Sequence, residues 1–220
     1  MSMRLLTIGT LCNDTTRSAE GELFGDPTET ALIAYGDANG CGQKQCDVTY
    51  PRVAEIPFDS ERKLMTTLHR KDETPIFVAT KGGFDVLLAM CNRIEDNSKI
   101  RVITDADKKS LAAVNTSMAV KALRVLCMAY KEITITAESD AEQLEALTAN
   151  AERDLIFVGM VGMIDPPREE ARVAVEQCKR AGIKPVMITG DHKITASAIA
   201  QSLGIMTAQT RYLRVAMWRI

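Results

Sequence analysis

Between residues 53 and 80 the apolar positions come in short runs, 53–58, 64–68 and 76–80, rich in β-branched residues and separated by charged or turn-forming segments. That pattern predicts three strands, with links between them short enough for antiparallel hairpins. Helical signals flank the strands. In Gly25-Asp26-Pro27-Thr28-Glu29, Asp26 suits an N-cap, Pro27 the first helical position and Glu29 the third, which closes a capping box and predicts a helix to about residue 36. A turn-rich loop is expected from there through Tyr50, with Asn39-Gly40 and Gly42 as breakers. Phe84, Leu87, Leu88 and Cys91 recur at helical spacing and predict a helix over 84–93; Leu111, Val114, Met118 and Ala122 trace a second, begun at Asp105. Residues 124–130 return to a strand pattern, and Ser139 with Glu142 opens a helix to about 153.

The period changes after residue 155. A nearly continuous apolar strand over 155–164 is broken by Asp165-Pro166-Pro167, and a helix with Ala171, Val175 and Cys178 on one face ends at Gly182. A buried strand over 185–188 leads into Thr189-Gly190-Asp191, and a last helix, from about 193 to 203, ends at Gly204. Strand and helix in alternation with short links belong to a parallel sheet covered by helices. The expected fold is therefore an α+β domain with a mostly antiparallel sheet over 1–164, followed by a partial α/β unit over 165–205 and a divergent tail over 206–220.

Composition narrows the function. Of 220 residues, 46% are hydrophobic and 25% charged, as in a folded domain, and the formal net charge of -2 provides no pull toward nucleic acid or anionic lipid. Aromatics at 5% are too sparse for base-stacking platforms on single strands. The apolar run 155–164 is about half what a membrane-spanning helix needs, and the amino terminus lacks a basic stretch followed by a long apolar core. A soluble chain without a membrane span is expected. The six cysteines are expected to be reduced thiols; Cys41 and Cys46 fall together in a polar loop, but no second Cys or His pair completes a zinc site, and no metal ligand is assigned.

Three short segments carry more chemistry than folding requires. Phe58-Asp59-Ser60-Glu61-Arg62-Lys63 closes a strand with an aromatic face beside cations; it equally describes a core Phe before a solvated turn. Thr80-Lys81-Gly82-Gly83 joins a strand to a helix and lets backbone and ammonium approach an anion, or is a plain glycine turn. Thr189-Gly190-Asp191 follows a buried strand and offers a phosphate seat, or an N-cap alone.

Taken in order with their neighbours, these segments resemble the cytosolic region of P-type cation-transporting ATPases, most closely the type II, calcium-pump-like group. The matching pieces are Cys12-Asn13-Asp14, Gly25 through Leu32, Phe58 through Lys63, Lys81-Gly82-Gly83, Arg124-Val125-Leu126, Asp165-Pro166-Pro167-Arg168 and Met187 through Asp191, spread over roughly 11–205. The resemblance implies that 1–164 is a nucleotide-binding domain lacking its first segment, and that 165–205 is a hinge with part of a haloacid-dehalogenase-like phosphorylation domain. It implies that Phe58 stacks on adenine, that Asp26 accepts from the adenine amino group or shapes its pocket, and that Lys81 sits at the pocket floor with Gly82 giving the base room. Lys63 and Arg124 would hold the triphosphate, with Leu126 packing on the base. Asp165, Pro166, Pro167 and Arg168 would be the hinge, and Thr189, Gly190 and Asp191 would meet the transferring phosphate. ATP is the implied ligand, with Mg in the full-length protein, and the remaining pump domains are the implied partners, at the cytosolic face of a membrane. Ser60 stands where the family often has a second basic residue, and Asp26 where it often has Glu.

The family's nucleophile lies in an Asp-Lys-Thr-Gly-Thr motif, which this sequence lacks, together with the later Gly-Asp-Gly-x-Asn-Asp loop. The chain is therefore expected to bind ATP or ADP weakly and not to turn it over. A free-standing nucleotide sensor is the alternative, and a haloacid-dehalogenase-like phosphatase a third reading that also needs the missing Asp.

Overall fold

One sheet divides its apolar side chains between two buried faces. We describe residues 2–70, 75–121, 123–134, 141–164, 169–189 and 193–206 of a computed structural model. The elements run α1 (Met3–Leu11), β1 (Thr16–Arg17), β2 (Leu23–Phe24), α2 (Pro27–Ala38), α3 (Gln43–Thr49), β3 (Arg52–Asp59), β4 (Leu64–Arg70) and β5 (Pro75–Gly82). They continue with α4 (Phe84–Ala89), β6 (Cys91–Asp96), β7 (Lys99–Val102), α5 (Asp105–Val120), β8 (Arg124–Thr134), α6 (Ala141–Ala149), β9 (Leu155–Met163), α7 (Glu169–Arg180) and α8 (Lys193–Ser202). By internal packing, the described residues up to Asn115 together with Val125–Met163 form one unit; Thr116–Arg124 and those from Ile164 onward form a second.

The first unit contains a seven-stranded sheet in the order β3-β4-β5-β8-β9-β6-β7. β3 to β4, β4 to β5, β5 to β8 and β6 to β7 run antiparallel, and β6 to β9 runs parallel. The sheet is mostly antiparallel, as expected. Successive strand residues point to opposite faces. Phe77 and Ala79 of β5 and Met128 and Tyr130 of β8 join Leu5, Leu6, Ile8 and Leu11 of α1 and Leu32 of α2 in one core. Ile76 and Val78 point the other way, with Leu68 and Ala151. Cys127 and Ala129 join Leu64, Leu87, Leu155 and Phe157. Both faces are therefore buried, which explains why β4 and β5 are almost wholly inaccessible.

Several expectations change. The helix expected over 84–93 ends at Ala89, because residues 91–96 are taken up as β6: Cys91 pairs with Leu155 of β9 and its thiol donates back to the Leu87 carbonyl at 3.1 Å. A distant strand outweighs local helical spacing there. The expected loop before Tyr50 contains α3, anchored by buried Cys46. α1 was not expected; it has no side-chain cap and no charge in its end turns, so only its apolar content marked it. The strand over 155–164 is present as β9 and lies in the first unit's sheet, on the same side of residue 165 as expected. In the second unit α7 and α8 form where expected, whereas 183–189 is not a strand, and Val186 and Ile188 are 81% and 93% exposed. A parallel strand needs neighbours on both sides, and among the described residues none pairs with this segment. An α/β unit of the haloacid-dehalogenase type is thus not formed by the described residues. Asp165, Pro166, Pro167 and Arg168, expected as a hinge, the residues Gly190 and Asp191, and the tail from 207 onward lie outside those described.

Gly82 is fixed by close approach. A Cβ there would stand 2.4 Å from Leu64 Cδ2 and 2.5 Å from the Lys63 carbonyl oxygen, whereas a Cβ at Gly83 would meet nothing nearer than 3.8 Å. Gly82→Ala is expected to lower the unfolding free energy by ~2–3 kcal/mol in urea titration, and Gly83→Ala to leave it nearly unchanged; equal effects would contradict this packing.

His69 is buried, with Nδ1 donating to the Tyr50 carbonyl at 2.9 Å and Nε2 accepting from the Thr67 hydroxyl at 2.8 Å. Burial pushes its pKa down from 6.5 to about 4, against the Tyr50 carbonyl, which raises it. Between those values the unfolded chain binds a proton that the folded chain does not, so stability falls as pH drops from about 6.5 to 4. His69→Gln is expected to remove ~2–3 kcal/mol of that acid sensitivity, read by denaturation at each pH; an unchanged slope would refute the assignment.

Candidate functional site

One lateral row crosses four strands: Asp59 of β3 stands opposite Leu64 of β4, Leu64 opposite Gly82 of β5, and Gly82 opposite Cys127 of β8. Phe58, Lys63, Lys81 and Leu126 are each the immediate chain neighbour of a member of that row. Three stretches of sequence, the β3–β4 turn, the end of β5 and the start of β8, thus meet at one end of the sheet.

The β3–β4 turn is held by Asp59, whose Oδ1 accepts from the Glu61 and Arg62 amides at 3.0 and 2.7 Å, while the Lys63 amide donates to the Asp59 carbonyl at 2.6 Å. Lys63 takes a left-handed backbone (φ 54°) and its carbonyl accepts from the Gly83 amide at 3.1 Å. This bond ties the turn to the strand end carrying Lys81. Arg62 points back to Glu152 and the Pro57 carbonyl and is committed to structure. Lys63 itself is exposed. Phe58 falls where the β3–β4 register shifts, between Ile56 and Asp59, and is 61% exposed, outside all three apolar clusters of the described residues.

Lys81 is the opposite case. Its side chain is 7% exposed and makes an ion pair with Glu29, itself 14% exposed. The second oxygen of Glu29 accepts from the Asp14 amide at 3.0 Å, and the Glu29 carbonyl accepts from Asn13 Nδ2, which also bonds the Gly9 carbonyl at 3.1 Å. Arg52 closes the loop over this network: Nη1 reaches the Asp14 and Glu55 carboxylates at 2.7 Å, and Nη2 donates to the carbonyls of Leu11 and Asn13. Cys12 lies beneath, its thiol donating to the Met65 carbonyl at 3.3 Å. Burial pushes that thiol's pKa up, with Lys81 opposing.

Asp26 caps α2, its Oδ1 accepting from the Thr28 amide at 2.8 Å. The capping box read from the sequence is not closed by Glu29, whose carboxylate goes to Lys81 and Asp14 instead. Glu29 is therefore the acidic residue of this helix that meets Lys81, a position that sequence reasoning had assigned to capping alone. Asn13 and Arg52 were likewise not singled out. The signal for Asn13 was its place in Cys12-Asn13-Asp14; nothing in the sequence marked Arg52. Leu126 packs against the α1-side core. Arg124 opens β8, is exposed and belongs to the second unit. Thr189 is exposed in the segment after α7.

Residues 2–170 match the family model described as "P-type ATPase, cytoplasmic domain N". The chain is 46% identical over 203 residues to "Calcium-transporting ATPase 1" of Lactococcus lactis, covering 92% of this chain and 22% of that protein. It is 45% identical over 195 residues to "Calcium-transporting ATPase 1" of Bacillus cereus (89% and 21%), and 36% identical over 207 residues to "Sodium/potassium exporting P-type ATPase cta3" of Schizosaccharomyces pombe (92% and 19%). The chain spans about a fifth of the length of the curated relatives it matches. No helix among the described residues is long and apolar enough to cross a membrane. The chain belongs to the P-type ATPase family, in its cytoplasmic domain N.

Removing one partner of a buried ion pair leaves the other charge desolvated. Lys81→Met is expected to destabilise the domain by ~3 kcal/mol in urea titration, and the double variant Lys81→Met/Glu29→Gln to recover part of that loss. A loss under ~0.5 kcal/mol for the single variant would put the pair among exposed ion pairs and remove it as the anchor of this site.

Proposed function

We propose that this chain is the ATP-holding part of a cation-pumping P-type ATPase and presents the nucleotide to an aspartate nucleophile that its 220 residues do not include. The observation that carries the reading is the row across β3, β4, β5 and β8, which gathers an exposed aromatic ring, an exposed cation and a buried ion pair at one sheet end. In this reading Phe58 provides a stacking face for adenine, and Lys63 lies beside it for phosphate. The Lys81–Glu29 pair forms a fixed polar floor, and the close-packed Gly82 keeps the strand end low. Asp26 orders the first turn of α2 and so sets where Glu29 points. Leu126 packs near the base from β8, and Arg124 would reach the phosphates as the resemblance implies.

Residue types fit a nucleotide: one exposed ring outside the apolar clusters of the described residues, cations in different states of burial, and a carboxylate able to accept from an amino group. Magnesium would enter with the nucleotide and serve the phosphates. Among the described residues no group of three or more His, Cys, Asp or Glu side chains is placed to hold it, and no step is derived through it. In the parent protein, residues 165–168 would act as the hinge and Thr189, Gly190 and Asp191 would meet the γ-phosphate, at the cytosolic face of the membrane. The names of the relatives favour calcium as the transported ion.

Binding of ATP and ADP to the chain, followed calorimetrically, tests this directly. Phe58→Ala is expected to weaken both by about tenfold or more, since a base–aromatic stack contributes ~1–3 kcal/mol. Lys63→Ala should weaken ATP more than adenosine. Phe24→Ala, another exposed ring (54%) on β2, should change nothing. Unaltered affinity in both Phe58→Ala and Lys81→Ala would sink the pocket, and sustained hydrolysis by the pure chain would sink the missing-nucleophile argument.

A further inference from the structure

At the far end of α2 from Glu29, two thiols face each other. Cys41 Sγ and Cys46 Sγ are 3.2 Å apart and buried, at 5% and 8% exposure. Cys41 follows the Asn39-Gly40 turn, where the Cys41 amide returns to the Gly36 carbonyl at 2.9 Å; Cys46 sits in α3, its amide bonded to the Gly42 carbonyl at 3.0 Å. The two sulfurs are thus held by separate backbone anchors, on either side of the start of α3. A disulfide needs about 2.03–2.05 Å between its sulfurs, roughly an ångström closer than these, so bond formation requires only local adjustment.

The surroundings distinguish the two thiols. Cys41 Sγ is reached by the hydroxyls of Thr7 and Thr10 of α1, each at 3.8 Å. The hydrogen bond from Cys46, with those from Thr10 and Thr7, lowers the Cys41 pKa from its ordinary value, against burial and Asp37, which raise it. Cys46 moves the other way, raised first by that same bond and then by burial. The hydroxyls gathered at Cys41 Sγ favour the thiolate there. The other four cysteines have no such arrangement: Cys12, Cys91 and Cys127 are buried with raised pKa values, and Cys178 is partly exposed on α7.

We propose that Cys41 and Cys46 form a redox-active dithiol that closes to an intramolecular disulfide when it meets a peroxide. The Cys41 thiolate attacks one oxygen of hydrogen peroxide; the O–O bond breaks, and the departing hydroxide takes a proton to become water, leaving a sulfenic acid on Cys41. The Cys46 sulfur then attacks the Cys41 sulfur; the S–S bond forms, the S–O bond breaks, and the hydroxide leaves with the Cys46 proton as a second water. The two sulfurs give up two electrons in all and the peroxide takes both. The bridge would pin the end of α2 to the first turns of α3. This site does not depend on the nucleotide reading.

The intact, fully reduced chain is treated with limited hydrogen peroxide, quenched with N-ethylmaleimide, digested with trypsin and analysed by mass. Lys44 lies between the two cysteines, so trypsin cuts there and a bridge leaves peptides 18–44 and 45–52 joined, lighter by two hydrogens and separable by dithiothreitol. Bridging is expected at least ~tenfold faster than loss of the Cys178 thiol, following thiolate character. In Cys46→Ser the sulfenic acid on Cys41 is expected to persist and be trapped by dimedone. Alkylation of both Cys41 and Cys46 at a peroxide dose that oxidises Cys178, or a bridge from Cys41 to any other cysteine, would overturn the proposal, whatever the variant does.

Discussion

The Lys81–Glu29 pair is the constraint from which the site's arrangement follows. Both side chains are taken out of water, and a buried charge persists only when paired and further hydrogen-bonded. Glu29 meets that demand with one oxygen on Lys81 and the other on the Asp14 amide. As a result β5, α2 and the Asn13–Asp14 loop cannot move independently. Arg52 extends the restraint to β3 by holding the Asp14 carboxylate, the Asn13 carbonyl and the carbonyl of Leu11 at the end of α1. A pair of this kind adds little net stability over an apolar alternative; what it adds is a defined position for a charged group at a sheet end.

The sheet beneath it allows that position because β4 and β5, near its middle, are buried on both faces. β5 sends Phe77 and Ala79 toward α1, and Ile76 and Val78 the other way. Lys81 falls on the α1 face by the same alternation, opposite Met65 and Met128. A one-residue slip of β5 would turn Lys81 into the other core and Gly82 out of the space beside Leu64. The register is therefore set twice, by apolar alternation along the strand and by the absence of a side chain at its end.

Much of this was legible beforehand. Strands β3, β4, β5 and β8 and helices α2, α5, α7 and α8 were readable because their apolar period or capping residues are local properties. Phe58, Lys63, Lys81 and Gly82 could be named because their segments resemble motifs of the family; by themselves, an aromatic ring, cations and glycines at strand ends left plain structural readings open. What was not legible depended on partners distant in sequence. Residues 84–93 have helical spacing, yet from Cys91 the chain becomes β6 because β9 lies beside it; residues 185–188 have a strand pattern and remain unpaired among the described residues. Glu29 shows the same limit at a single side chain. Three residues after an N-cap, a glutamate can bond back to the cap or out to a cation, and the sequence holds no information on which is nearer. A buried lysine one strand away decides it.

The closeness of α1 and α2 explains how Glu29 comes within reach of Lys81 at all. At Gly36 a Cβ would lie 2.8 Å from Thr10 Oγ1 and 3.0 Å from the Cys41 carbonyl, and at Gly9 a Cβ would lie 3.0 Å from the Met128 methyl. Small residues at both points let α2 settle against α1, and α1 against the sheet, without a side chain between them. Leu32, on α2 between Glu29 and Gly36, is buried in the shared core. An alanine-sized wedge at Gly36 would lift α2 at its carboxyl end, and a rigid helix transmits that tilt to its first turn, where Asp26 and Glu29 sit. The placement of one carboxylate over one ammonium thus depends on a contact nearly two helical turns away from it, which ties the chemistry of the site to packing that contains no polar recognition of its own.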